Sequence, residues 1–398
     1  MKIKNLWTRA LARATDAISE PVERHHVEQT TPATPECVVR HLTLLPGVPI
    51  VESPFFAEIL ASNYFLDWEK PIAADLYENG YALLDFPDPD IANRAKRIID
   101  ELAPHYEAAR KGGDTFNGSL QPPRFQDAFV VSDDVAAIAN SDAIRALLGK
   151  LYGRPAFPFQ TLTFQHGSQQ HFHSDAVHFH SAPERFMCGV WVALEDVTED
   201  NGPLIYYPGS QKWATFTNEH ATAHQHDFLK PPSQAMYEPL WRALVAAHGA
   251  KRTQFLPKRG QALIWASCLL HGGEAIKKVG STRWSQVTHY FFSNCAYFTA
   301  METHGIAGKI AFRDPLDIST GERVCSMYAD EKIPPAFIDA CKASATIDYA
   351  ALARHLLPAG FDSATYLALN ADVAKAGMDA SMHYINHGKS EGRRYLRD

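Results

Sequence analysis

At 398 residues, with a formal charge of -7 and a pI near 6.2, the chain has room for a large core plus flanking pieces. It lacks the basic excess that a nucleic-acid partner selects. Hydrophobic residues at 46% and aromatics at 11% are in the ordinary globular range, and no apolar run approaches the roughly 18 residues that cross a bilayer. The six cysteines (Cys37, Cys188, Cys268, Cys295, Cys325, Cys341) form no CxxC pair, which argues against a zinc cluster or a disulfide scaffold and favours a reducing, cytoplasmic setting.

Residues 2–20 place Ile3, Leu6, Trp7, Ala10, Leu11, Ala14 and Ile18 at helical spacing beside Lys2, Lys4, Arg9 and Arg13. The stripe is short and alanine-rich, so it reads as a helix packed on its own domain or on a neighbouring subunit. Peripheral contact with the inner face of a membrane is the alternative. A polar, proline-containing stretch over 20–36 reads as a linker, giving an N-terminal helix and linker over 1–50 and a main domain over 51–335.

The run 80–86 suits a buried strand. Asp90 then caps a helix with Ile91, Ala95, Ile98, Ile99 and Leu102 on one face, and Ser141 opens another carrying Ile144, Leu147, Leu148 and Leu151. From 159 to 292 the texture changes to short β-branched and aromatic runs at 159–164, 186–194, 204–207, 262–266 and 287–292, the pattern of an antiparallel barrel or jelly roll. An insertion over 215–258, rich in His, Gln and Pro, is long enough to fold over a barrel mouth. Helical periodicity returns after Pro334-Pro335, and 345–398 reads as a small helical module. The fold class expected is therefore α+β, mainly β.

Within Gln169-Gln170-His171-Phe172-His173-Ser174-Asp175, His173 and Asp175 lie two apart, which on a strand or its end points both side chains the same way. His271, after the strand 262–266, completes a two-histidine, one-carboxylate face. Such a face leaves open positions on octahedral iron(II) for a bidentate oxoacid and dioxygen. The far carboxylate of 2-oxoglutarate needs a cation, and arginine matches a carboxylate with two hydrogen bonds. Arg283, twelve residues beyond His271, is the candidate. Asp175 fills the position that a halide would need, so hydroxylation is favoured over halogenation.

An HxD triplet in a chain with 19 histidines is a weak signal alone. The neighbourhood strengthens it: Trp191-Val192-Ala193-Leu194-Glu195-Asp196, then Asp200-Asn201-Gly202-Pro203-Leu204, then Tyr207-Pro208-Gly209-Ser210-Gln211. This ordered series resembles the phytanoyl-CoA dioxygenase family, and the resemblance runs from about Glu78-Asn79-Gly80-Tyr81 to Phe292. The resemblance implies a double-stranded β-helix (jelly roll, cupin-like) core with flanking helices and iron(II) held by His173, Asp175 and His271. It also implies 2-oxoglutarate anchored by Arg283, with Trp191 near the oxoacid. After His271 the chain departs from the family pattern: Gly273 replaces the commoner serine, an Asn-x-Ser is missing and Arg283 comes one residue late. The oxoacid pocket is thus less determined than the iron site.

His171, His178 and His180 read as pocket wall or as orienting groups, and Gln165 as a strand glutamine that could reach the oxoacid. The C-terminal run from Phe361 to Val373, with His383-Tyr384 and Gly388 to Arg393, resembles a short module on bacterial proteins acting on surface glycans. The expected activity is hydroxylation of an unactivated C–H bond in a small-molecule, sugar-containing or lipid-linked substrate, with succinate and CO2 as co-products. One alternative is an acyl-CoA or carrier-bound acid hydroxylase, served by Lys258, Arg259, Lys277 and Lys278. The other is a non-catalytic cupin-like binding protein.

Overall fold

The computed structural model describes residues 34–111, 124–218, 220, 233–303, 309–343 and 357–396. The amphipathic segment 2–20, most of the linker 20–36 and part of the insertion 215–258 lie outside the described residues. Helices α1 (Glu36–Leu44), α2 (Phe56–Ala61) and α3 (Glu69–Asn79) come first. The core therefore begins earlier than the expected residue 50, because Val38 of α1 is fully buried against Ile50 and Phe56. Gly80 ends α3 with φ 78, a left-handed conformation that glycine adopts without penalty, and the chain turns at once into β1 (Tyr81–Asp85).

Then follow α4 (Ile91–Lys111), β2 (Arg124–Gln126), α5 (Asp133–Ala139), α6 (Asp142–Tyr152), β3 (Ala156–Phe164), β4 (His180–Ala182), β5 (Met187–Ala193) and β6 (Leu204–Tyr206). Helix α7 (Glu238–Ala247), β7 (Thr253–Phe255), β8 (Gln261–Ala266), β9 (His271–Gly273), β10 (Ser285–Phe292) and β11 (Ala296–Phe298) complete the core. Ser141 caps α6 as expected, its hydroxyl accepting from the Ile144 amide. Asp90 instead takes its side-chain bond from the Asn93 amide group. Strand β3 starts three residues ahead of expectation. Pro158, which has no N–H to give the ladder, sits where the register slips between His289 and Tyr290, so the strand passes through it.

Six strands form one antiparallel sheet in the order β1-β8-β5-β10-β3-β2, and β7-β6-β9 form a second. Side chains alternate across the large sheet. One face, with Val190, Val192, Ile264, Tyr290 and Phe292, packs with Ile98, Leu102, Leu147 and Leu151 of the helices. The other, with Leu162, Phe164, Trp191, Leu263 and Val287, meets Leu204, Tyr206 and Phe255 of the small sheet. The result is a double-stranded β-helix with flanking helices. Past it, the helices Ser363–Leu369, Ala371–Lys375 and Ala380–His383 enclose a small core of Tyr366, Val373, Ala380 and Tyr384. No described helix is long and apolar enough to cross a membrane.

Candidate metal centre

His173 and His271 face each other across a single antiparallel bridge that extends the small sheet beyond β9. Each backbone N–H donates to the other's carbonyl, at 2.8 and 3.0 Å. Directly paired residues point their side chains the same way, so the two imidazoles emerge together, ring centroids 4.6 Å apart. Asp175 opens the tight turn Asp175–Val177, which the Ser174 hydroxyl caps by accepting from the Ala176 amide while donating to the Ser267 carbonyl. The His173 Nε2 lies 3.6 Å from Asp175 Oδ1 and the His271 Nε2 3.7 Å from Oδ2. One ligand atom from each of the three falls within 4.8 Å of the others, and among the described residues no other such group of three is found.

Second partners fix the ligands. His173 Nδ1 meets the His171 carbonyl at 2.9 Å and His271 Nδ1 the Leu269 carbonyl at 3.0 Å. A carbonyl only accepts, so each Nδ1 carries the proton and each Nε2 keeps its lone pair for a metal. The Trp265 indole N–H donates to Asp175 Oδ2 at 2.8 Å. Trp265 lies against Gly189, where a Cβ would collide with its ring; glycine is required there by close approach. His289, on the strand flanking β5, places Nε2 3.8 Å from Asp175 Oδ2 and Nδ1 3.0 Å from the Gln160 side-chain oxygen.

Burial alone would push the Asp175 carboxyl up, but the surrounding imidazoles of His271, His289 and His173 hold it well below the usual carboxylate range. Burial lowers His271 and His289 to about 4, against the pull of Asp175. His271 therefore stands neutral beside an ionised Asp175 at neutral pH, the state in which such groups bind a divalent metal.

A cavity of about 560 Å³, a size usual for small-molecule sites, opens on the three residues. Arg283 and Trp191 line it with them, and the Arg283 guanidinium carbon stands 5.3 Å from the Trp191 ring and 5.8 Å from the Phe164 ring. Arg283 is only 3% exposed, its Nε has no hydrogen-bond partner and burial lowers its pKa to about 10. Of the other histidines, His178 lines the cavity, its Nε2 3.0 Å from the Gln234 side-chain oxygen, whereas His171 turns to Arg242 and His180 to the Ala176 carbonyl. Gln165 does not line the cavity, though its buried side-chain oxygen is unpartnered. Trp265, His289, Gln160 and Arg124 were not singled out for this site from sequence. The one available signal was strand alternation, which carries from Arg283, just ahead of β10, to Val287 and His289 and puts the three on a common face.

Residues 71–281, more than half of the chain, match the phytanoyl-CoA dioxygenase (PhyH) family. The chain belongs to the phytanoyl-CoA dioxygenase family. As a member it is an iron(II)- and 2-oxoglutarate-dependent dioxygenase whose cofactors are iron(II), 2-oxoglutarate and dioxygen. The matched region of this PhyH chain contains His173, Asp175, Trp191 and His271 and stops two residues before Arg283. No match was found among curated proteins. Among solved structures, the epimerase SnoN from nogalamycin biosynthesis, in complex with Fe3+, alpha ketoglutarate and nogalamycin RO, is 19% identical. The alignment covers 66% of this chain and 97% of that one, with a TM-score of 0.44. EctD from S. alaskensis with 2-oxoglutarate and 5-hydroxyectoine is 20% identical, covering 61% of this chain and 80% of that one, with a TM-score of 0.44. Neither likeness sets a substrate for this chain.

Proposed function

We propose that His173, Asp175 and His271 hold the iron(II), that Arg283 anchors 2-oxoglutarate beside Trp191, and that the enzyme hydroxylates an unactivated C–H bond of a small-molecule or glycan-related substrate. The observation that carries the reading is the convergence of the three ligand atoms within 4.8 Å. Both Nδ1 protons are committed elsewhere. The donor set fits the metal: two neutral nitrogens and one carboxylate suit ferrous iron and leave positions for an oxoacid and dioxygen. Buried Arg283, with an unpartnered Nε, fits the carboxylate.

When bound, iron(II) with 2-oxoglutarate supplies the oxidation of a C–H bond by dioxygen, with succinate and CO2 as co-products. The chain's own residues orient and exclude. Trp265 holds one Asp175 oxygen, Trp191 and Phe164 flank the anchor, and Leu162, Leu204 and Val287 keep water from the inner cavity. The catalytic domain is assigned to 51–335 with α1 packed onto it, and the helical module 345–398 to a separate role. Its likeness to modules of surface-glycan proteins is what favours a glycan-related substrate, and the segment 2–20 is the candidate for any membrane contact.

The acyl-CoA reading has less support. None of Lys258, Arg259, Lys277 and Lys278 lines the cavity, and Lys258 and the Arg259 amide bind the Asp196 carboxylate instead. The test is anaerobic titration of iron(II) and 2-oxoglutarate into the metal-free protein, following the weak visible charge-transfer band of a chelated oxoacid on ferrous iron. A band in wild type that is lost in His271→Ala and Asp175→Ala is expected. No band at saturation would refute the ligand assignment.

A further inference from the structure

A second cavity, of about 600 Å³, adjoins the metal cavity, and Gln160 lines both. Phe129, Phe159 and Phe312 give it apolar surface, and Arg313 lines it with them. Residue 313 is tied at both ends. Its backbone N–H donates to the Tyr297 carbonyl at 2.8 Å, and Nη1 donates to the Thr299 hydroxyl at 3.1 Å. Phe179 touches both sites. It lines the metal cavity with its ring 4.9 Å from the His289 ring, and the Arg313 guanidinium carbon lies 4.9 Å from the centre of the same Phe179 ring. A molecule whose reactive carbon faces the metal therefore reaches Arg313 by extending past Gln160 and Phe179.

The cations of the second cavity are not equivalent. Lys342 Nζ holds the Asp314 carboxylate at 2.6 Å, and Arg323 donates to the Asp314 carbonyl. Arg313 pairs with no carboxylate among the described residues; Thr299 takes one of its N–H groups, and Glu302 acts on it only through space. Burial disfavours its charge. An oxyanion arriving here gains a charge-assisted, two-point contact in a partly dehydrated setting, where such a contact is strongest. Arg283 lines the metal cavity and not this one, so the 2-oxoglutarate anchor and Arg313 serve different ligands.

Resting on the iron and 2-oxoglutarate reading above, we propose that the second cavity is the outer half of the substrate site, and that Arg313 binds an oxyanion, carboxylate or phosphate, which the substrate carries at the end remote from the carbon that reacts.

The probes are linear alkyl phosphates from butyl to decyl, added anaerobically to protein loaded with Mn(II) and saturating 2-oxoglutarate, with Zn(II)-loaded protein as the diamagnetic reference. Relaxation of the phosphorus and of the terminal methyl protons by Mn(II) reads affinity and orientation together. In wild type at least one chain length should bind saturably, with its methyl group nearer the metal than its phosphorus. Arg313→Met, which keeps an unbranched side chain but no charge, should lose affinity about tenfold or more, as for one lost charge-assisted pair, and Arg313→Lys should keep part of it. Glu302→Gln should bind more tightly, because an opposing charge goes while Arg313 stays in place. Displacement by the fatty acid of matched length points to a carboxylate substrate, and resistance to it to a phosphate. Unchanged affinity in Arg313→Met, a phosphorus nearer the metal than the methyl group, or no saturable effect at any length overturns the proposal. So does equal loss in Arg313→Met and Arg313→Lys with Glu302→Gln unchanged, which would leave Arg313 only a support for Phe179. If wild type takes up neither Mn(II) nor 2-oxoglutarate, the earlier reading fails and takes this one with it, whereas uptake of both without probe binding fails this one alone.

Discussion

Replacing Trp265 by Phe tests whether the metal centre depends on a residue that touches no metal. The indole N–H gives Asp175 Oδ2 a 2.8 Å hydrogen bond in a fully buried setting. A hydrogen bond to a charged acceptor contributes about 1.5–3 kcal/mol, and loss of an outer partner of a metal ligand typically costs about 10–100-fold in metal affinity. The two scales agree, since tenfold is about 1.4 kcal/mol. Without the indole, the carboxylate is free to rotate between His173 and His271, which approach different oxygens at 3.6 and 3.7 Å. The expected result is a 10–100-fold weaker Mn(II) or iron(II) dissociation constant, read by anaerobic competition with a chromogenic chelator. Thermal unfolding of the metal-free protein separates this from the smaller ring's packing loss. Metal affinity within twofold of wild type would refute the reasoning.

Gly189→Ala should act on the same carboxylate indirectly, because the new Cβ overlaps the Trp265 ring; weaker metal binding with an unchanged binding stoichiometry is expected in the same chelator assay. Arg283→Gln should weaken 2-oxoglutarate by about a hundredfold or more in the charge-transfer titration, and Arg283→Lys should rescue it poorly, since an ammonium lacks the planar fork. The metal-free protein should lose stability on acidification. Unfolded histidines take up protons near 6.5, whereas buried His271 and His289 resist until about 4, so below about 6.5 the unfolded state binds more protons. Asp175 stays ionised across that window and does not reverse the sign. Each histidine alone corresponds to about 3 kcal/mol between those limits. The urea midpoint should fall between pH 7 and pH 5, and a flat midpoint would contradict the burial argument.

The residues proposed for iron were legible because their signal is local: an HxD triplet, a distal histidine after a strand, and the turn residues between them. The strands were legible from β-branched and aromatic runs bounded by turns, with errors of a few residues at Pro158 and Ser285. Helices α1, α2, α3, α5 and α7 were not foreseen. Most are too short for a clear apolar period, and α3 presents Glu69 to the interior, where it pairs with Lys150 at 2.5 Å. The groups around the ligands were missed for another reason. Arg124, Gln160, Trp265 and His289 come from four strands, and only the sheet order β8-β5-β10-β3-β2 gathers them. Nothing along the chain announces that neighbourhood.

The pairing of His173 with His271 carries a topological consequence. A metal shared by these two residues closes a loop of roughly a hundred residues, and that loop contains the insertion 215–258. Loop-closure entropy grows only logarithmically, by about 0.6 kcal/mol for each doubling of length. The insertion can therefore lengthen, shorten or change composition with almost no effect on how firmly the ligand pair is held. The bridge uncouples the insertion, which reaches the cavity through Gln234 on His178, from the residues proposed to hold the iron. Substrate preference in this architecture is free to drift while the metal chemistry stays fixed.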